Sequence, residues 1–170
     1  MVQGGGGEPR PLDGPSARIS DVQSAEMAIA SLIYTYAERI DAGDFAGIGE
    51  LFADATLTFE GFDGAVSGRE GVEALYTRST RRYEDGTPRS KHVMTNVIVD
   101  VDDDGTTASS RSYFTVLQAV PGALALQPIV AGRYRHTYRQ VDGAWRVATM
   151  HVTIDLTGEL GHHMLFDLTP

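Results

Sequence analysis

Between Ser20 and Ala42 apolar side chains recur at three- and four-residue steps: Ile29, Leu32, Ile33, Tyr36 and Ile40. That spacing puts them on one stripe of an amphipathic helix, with Ser20 or Asp21 as its N-cap and Gly43 suited to a left-handed C-terminal position. A shorter helix from Phe45 to Phe52 buries Ile48, Leu51 and Phe52, and Asp54 leads into a strand from Ala55 to Phe59. Gly61, Asp63 and Gly64 make a turn. Val66 to Gly71 then enters a third helix, from Arg69 to Tyr83, with Val72, Leu75, Tyr76 and Ser79 on one side. The polar segment Glu84 to Ser90 reads as a loop.

Beyond Ser90 the period changes. Lys91 to Asp102, Thr107 to Val120, Ile129 to Val141 and Ala144 to Leu156 are rich in β-branched and aromatic residues and read as strands. Asp102 to Gly105, Pro121-Gly122 and Asp142-Gly143 join them. The last is the strongest hairpin signal, because a tight type I′ turn needs positive φ at both central positions. Helices first and a long, mainly antiparallel sheet afterwards predict an α+β domain. Three N-terminal helices pack on the concave face of a curved sheet, which leaves an apolar pocket between the layers. Residues 1–19, with Gly4 to Gly7 in a row, are expected to be a disordered tail, and 20–170 a single domain.

Composition narrows the partners. A formal net charge of −9 argues against nucleic acid and against an anionic membrane surface. The most apolar stretch, Ala119 to Gly132, is broken by Pro121, Gly122, Gln127 and Pro128, so it is no membrane span. No basic-then-apolar leader pattern opens the chain, and a cytoplasmic location is expected. The absence of cysteine removes disulfides, thiolate nucleophiles and sulfur metal sites. No close histidine pair, phosphate-cradling loop or dinucleotide fingerprint is present, so neither a metal nor a cofactor is expected.

What remains is acid–base chemistry. Asp41 ends an apolar helix face, where a carboxylate is costly unless a neighbour holds or uses its charge. The candidate neighbour is His92, at the start of the first long strand. Strand alternation groups His92, Met94, Asn96 and Ile98 on one mixed face and Val93, Thr95, Val97 and Val99 on a packed one. A carboxylate bonded to one imidazole nitrogen fixes the tautomer and raises the basicity of the other, which makes a general base. Tyrosine hydroxyls of Tyr34, Tyr36 or Tyr113 could hold or protonate a substrate oxygen. At about 100° per residue Tyr34 lies within about 20° of Asp41 around the helix, whereas Tyr36 lies about 140° away. Met94, Asn96, Tyr113, Leu117 and Met150 are the candidate pocket lining. The plainer alternatives are a solvated helix-end acid and a structural strand histidine. Arg78, Arg81 and Arg82 read as a solvated helix face, and His162-His163 as surface.

From Ser20 to Leu160 the chain resembles the SnoaL-like branch of the nuclear-transport-factor-2-like superfamily, whose members are cone-shaped α+β domains. The resemblance rests on Tyr34-Thr35-Tyr36, Asp41-Ala42-Gly43-Asp44, Leu51-Phe52-Ala53-Asp54 and Gly68-Arg69-Glu70-Gly71. It continues with His92 and Asn96, Gly132-Arg133-Tyr134 and Asp142 to Val147. Within that branch it is similar to scytalone dehydratase, bile-acid 7α-dehydratase and hexachlorocyclohexane dehydrochlorinase, cofactor-independent lyases built on an Asp–His pair. The resemblance places that pair on Asp41 and His92 and a catalytic tyrosine on Tyr36. The dehydrochlorinase has a lysine at the place of Tyr36 and an arginine where this chain has Met150, so the resemblance implies an oxygen leaving group or another proton-transfer reaction here rather than loss of a halide. The expected function is a dehydratase-like lyase or isomerase acting on a small, apolar, oxygenated molecule such as a polyketide, steroid or terpenoid. The alternative is a non-catalytic ligand-binding module, or the β subunit of a ring-hydroxylating dioxygenase. The fold also implies a homodimer or homotrimer.

Overall fold

The computed structural model describes residues 15–166. Most of the expected tail, including Gly4 to Gly7, lies outside the described residues. The first helix, α1 (Pro15–Ala42), starts five residues before the expected cap. A proline suits that opening position, where its fixed φ is already helical and its missing N–H would have had no partner. The other end of α1 closes as the glycine predicted: Gly43 has φ +71°. Its N–H donates to Ile40 O at 3.0 Å, and the Asp44 N–H donates to Arg39 O at 2.9 Å. This paired arrangement satisfies two carbonyls at the helix end. Asp44 then serves the next helix, α2 (Phe45–Leu51), its Oδ1 accepting the Gly47 N–H at 2.9 Å.

The chain continues through β1 (Thr56–Phe59), the two-residue β2 (Val66–Ser67) and α3 (Gly68–Ser79). The long strands are β3 (Ser90–Val101), β4 (Thr107–Val120), β5 (Leu124–Val141) and β6 (Ala144–Thr157). They form one sheet in the order β2-β1-β6-β5-β4-β3, antiparallel throughout except where β1 runs parallel to β6. The three helices pack against this curved sheet. Asp142 and Gly143 have φ of +51° and +76°, as the hairpin between β5 and β6 requires. Among the described residues no helix is long and apolar enough to cross a membrane.

Three departures from the sequence reading have clear causes. The third helix stops at Ser79 rather than Tyr83, because Thr80 turns extended and bridges Met164 of a returning C-terminal strap. Strand β5 starts at Leu124 instead of Ile129. The register between β4 and β5 shifts between Val116 and Leu117, next to Pro128, and a bulge tolerates a residue with no N–H to donate. On β3 the alternation breaks at Asn96, which adopts φ +52° at a bulge between Thr95 and Ile98. Asparagine tolerates that left-handed conformation better than most residues. One extra residue reverses the faces. His92 and Met94 point inward before it, and Val97, Val99 and Val101 do so after it. Val93 and Ile98 are left outside.

The core fills the space between the three helices and the sheet, with Ile29, Ile48, Leu57, Val72, Ile129 and Met150 fully buried.

Candidate active site

The last turn of α1 is covered by the start of β3, and Asp41 is enclosed there. Its Oδ1 lies 2.7 Å from His92 Nδ1, and both oxygens accept the backbone N–H of His92, at 2.9 Å and 3.2 Å. The Ser90 hydroxyl approaches Oδ1 at 3.4 Å. The two side chains are 8% and 5% exposed, so this is a desolvated pair. A carboxylate only accepts hydrogen bonds, so Nδ1 carries the proton, and in the neutral ring the lone pair is on Nε2. Nε2 makes no hydrogen bond among the described residues, and the ring borders a cavity.

That cavity has a volume of about 510 Å³. Phe114, Val116, Tyr134 and Val152 of the sheet form one wall, with Tyr36 of α1 and Tyr76 of α3 across from them. The mouth carries Phe62, Asp63 and Arg78, and the C-terminal strap contributes Leu160, His163 and Met164. A concave, mostly apolar space with a few converging polar groups is the usual form of a small-molecule site.

Tyr36 is buried beside the pair. Its ring meets that of His92 edge-on at 6.1 Å, and its hydroxyl lies 3.0 Å from the Tyr76 hydroxyl. The Tyr134 ring stands edge-on at 5.9 Å. Burial first, and then the proximity of Tyr134, push the Tyr36 pKa well up. Burial does the same for Tyr76 and Tyr134. These phenols therefore stay protonated and act as hydrogen-bond donors.

Of the residues singled out from sequence, Asp41, His92 and Tyr36 come together. Tyr34 does not: it is 48% exposed and outside the cavity, although it lies almost in line with Asp41 around the helix. The burial of α1 widens only at its last turn, where β3 crosses, and Tyr34 is two turns earlier. Asn96 and Tyr113 also face away, Asn96 because of the bulge and Tyr113 because Phe114 takes the inward position of β4. Leu117 yields its place in the same way to Val116. Met94 and Met150 point inward but pack in the core rather than lining the cavity. Arg78 borders the mouth instead of a plain solvated face, and Arg81 is half-buried against the strap, where it approaches Met164 O at 3.4 Å.

Sequence reasoning missed His163. It is not on the surface but 6% exposed on the cavity wall. Its segment has no periodicity, and only the turn-forming Gly158 and Gly161 hinted that the chain could fold back. His136 is buried elsewhere on β5, its ring stacked against Tyr138 at 5.8 Å. Burial lowers the pKa of both histidines from 6.5 to about 4. Between those values the unfolded chain binds protons that the native one does not, so stability falls as pH drops through this window. Each histidine contributes a loss of up to about 3 kcal/mol. Urea midpoints measured between pH 7 and pH 4 should show the decline, and His136→Phe should reduce it.

Helices over the concave side of a mainly antiparallel sheet, with an Asp–His pair and tyrosines facing an apolar cavity, define a cone-shaped α+β domain that encloses a candidate site. Residues 22–151 match the family described as the SnoaL-like domain, and the chain belongs to that family. Solved structures share the fold at low sequence identity. One is a nuclear-transport-factor-2-like protein with a cystatin-like fold from Novosphingobium aromaticivorans, 22% identical, TM-score 0.66, covering 85% of this chain and 92% of that one. Another is a candidate scytalone dehydratase from the same organism, 16% identical, TM-score 0.65, covering 84% and 97%. ActVI-ORFA from Streptomyces coelicolor is 21% identical, TM-score 0.62, covering 79% and 98%. No curated protein sequence matches the chain.

Proposed function

We propose that the protein is a cofactor-independent lyase or isomerase, most simply a dehydratase, acting on a small, largely apolar, oxygenated molecule of polyketide, steroid or terpenoid type. The observation that carries this reading is the 2.7 Å contact between Asp41 Oδ1 and His92 Nδ1 at the wall of an apolar cavity. Support also comes from the candidate scytalone dehydratase among its structural neighbours. His92 Nε2 takes a proton from a carbon next to a carbonyl. In a dehydration the electrons of that C–H bond form the new double bond and the adjacent C–O bond breaks. The departing oxygen takes a proton from Tyr36 or from His92 and leaves as water. In an isomerisation the proton returns to another carbon. A placed base contributes roughly 10²- to 10⁴-fold, and holding the substrate in the cavity supplies the rest.

The test is a panel of hydroxylated steroid, polyketide and terpenoid carbonyl compounds, followed by mass spectrometry in deuterated buffer. Wild-type protein should release water from at least one class or exchange a hydrogen in it, and His92→Ala should not. Equal behaviour of the two proteins across the panel rules out the base.

The assembly is a homodimer or homotrimer formed through the outer face of the sheet, in this reading. Val93, Ile98, Tyr113 and Leu156 are exposed there, each between 41% and 69%, more apolar surface than a monomer needs. Sedimentation equilibrium should give a multiple of the 18.3 kDa chain mass, and a monomer at micromolar concentration would refute it.

A further inference from the structure

The C-terminal strap holds a polar group that the proposed reaction does not use. Leu160 to Met164 make one tight turn, the His163 and Met164 N–H groups both donating to Leu160 O at 2.9 Å. The strap is fastened by its backbone. Arg81 N–H donates to His163 O at 2.8 Å, and Leu165 N–H donates to Ser79 O at 2.9 Å. The Tyr83 hydroxyl and Gln118 Nε2 both donate to His162 O, at 2.6 Å and 3.1 Å. None of these bonds involves the side chain of His163. The imidazole sits on the cavity wall with Leu160 and Met164, and its Nδ1 is buried without a hydrogen-bond partner among the described residues. His92 lines the same cavity.

A leucine or phenylalanine would fill this position without leaving a buried polar group unpaired, which costs about 1–3 kcal/mol. The strap does not need the imidazole, and the base already has its partner in Asp41. A molecule in the cavity can supply a hydrogen bond to the edge of the ring that borders it. We propose that His163 is a substrate-binding residue that hydrogen-bonds a hydroxyl or phenol oxygen of the ligand next to the atom that His92 deprotonates. The uncharged imidazole offers a donor and an acceptor, which fits a hydroxyl better than a carbonyl or a carboxylate. The substrate class narrows accordingly, to apolar molecules with a hydroxyl close to the acidic C–H. This inference rests on the base assigned above for the identity of the reacting atom, whereas its test reads binding alone.

The test uses two bicyclic probes of one shape, 2-naphthol and 2-methylnaphthalene, titrated into the full-length protein labelled with ¹⁵N at histidine. Wild type should prefer 2-naphthol by about tenfold, the worth of one good hydrogen bond. The ¹⁵N signal of the His163 ring should move with the naphthol and not with the hydrocarbon. His163→Phe should abolish the preference while leaving 2-methylnaphthalene affinity within about twofold, and His163→Asn should retain part of it. The proposal is overturned if His163→Phe keeps the preference, if the His163 signal ignores the naphthol, or if wild type binds neither probe. Failure of the base would appear separately, as His92→Ala turning over the carbonyl panel like wild type.

Discussion

Asp41→Asn is expected to lower turnover nearly as far as loss of His92 itself, by a factor of roughly 10² to 10⁴. The carboxylate accepts from two groups of one residue, the His92 backbone N–H at 2.9 Å and the ring Nδ1 at 2.7 Å. Asparagine keeps the shape but has one accepting oxygen and one donating amide. If its oxygen stays on the backbone N–H, the amide faces Nδ1 and the ring must take the other tautomer. The proton then sits on Nε2, where the base is required to be empty. Folding should suffer little, since both contacts survive, the one to the ring with donor and acceptor exchanged. The prediction is therefore a folded variant with low kcat, an almost unchanged KM and an unchanged far-UV spectrum. Asp41→Asn turning over like wild type, beside an inactive His92→Ala, would reduce Asp41 to a structural anchor.

Gly132→Ala should destabilise the fold by about 3 kcal/mol, at the upper end of what overpacking costs. A methyl group on Gly132 would lie 2.1 Å from the carbonyl oxygen of Thr153 and 2.8 Å from the Phe114 ring. The first neighbour is backbone, held in the ladder between β5 and β6, and cannot swing aside. The second is stacked on Tyr134, with ring centroids 4.2 Å apart, and both rings line the cavity. Relief must come from parting two central strands or from tilting the aromatic wall. A large fall in the urea midpoint is the expected result, together with weakened ligand binding. A change below about 1 kcal/mol would show that strand β6 yields more easily than a packed ladder should.

The glycine requirement at 132 was not visible in the sequence, although the motif Gly132-Arg133-Tyr134 drew attention to it. Periodicity located all three helices and the four long strands, since each buries a stripe or a face with its own repeat. The pairing of Asp41 with His92 was legible for a related reason: an acid on an apolar helix face needs a partner. The choice between Tyr34 and Tyr36 was not. It depends on where β3 crosses α1, a tertiary fact that angles around a helix do not contain. Asn96 misled because alternation assumes an unbroken strand, and one residue with positive φ cancels that assumption. His163 was hidden because a strap held by backbone bonds to Ser79, Arg81 and other neighbours has no hydrophobic repeat to read.

The bulge at Asn96 makes strand β3 a joint between two independent duties. Upstream of it, the inner face carries His92 to the site; downstream, the same face belongs to the core through Val97, Val99 and Val101. Deleting this one residue would leave a regular strand in which Val97 follows Thr95, so Val97, Val99 and Val101 would still face inward. Forcing the present sequence into unbroken alternation would instead drive Asp100 toward the interior and expose three valines. The positive φ at Asn96 is thus what lets the chain carry an extra residue without changing either face. Relatives should have asparagine, glycine or aspartate at this place, or lack the residue altogether, more readily than they have a β-branched one.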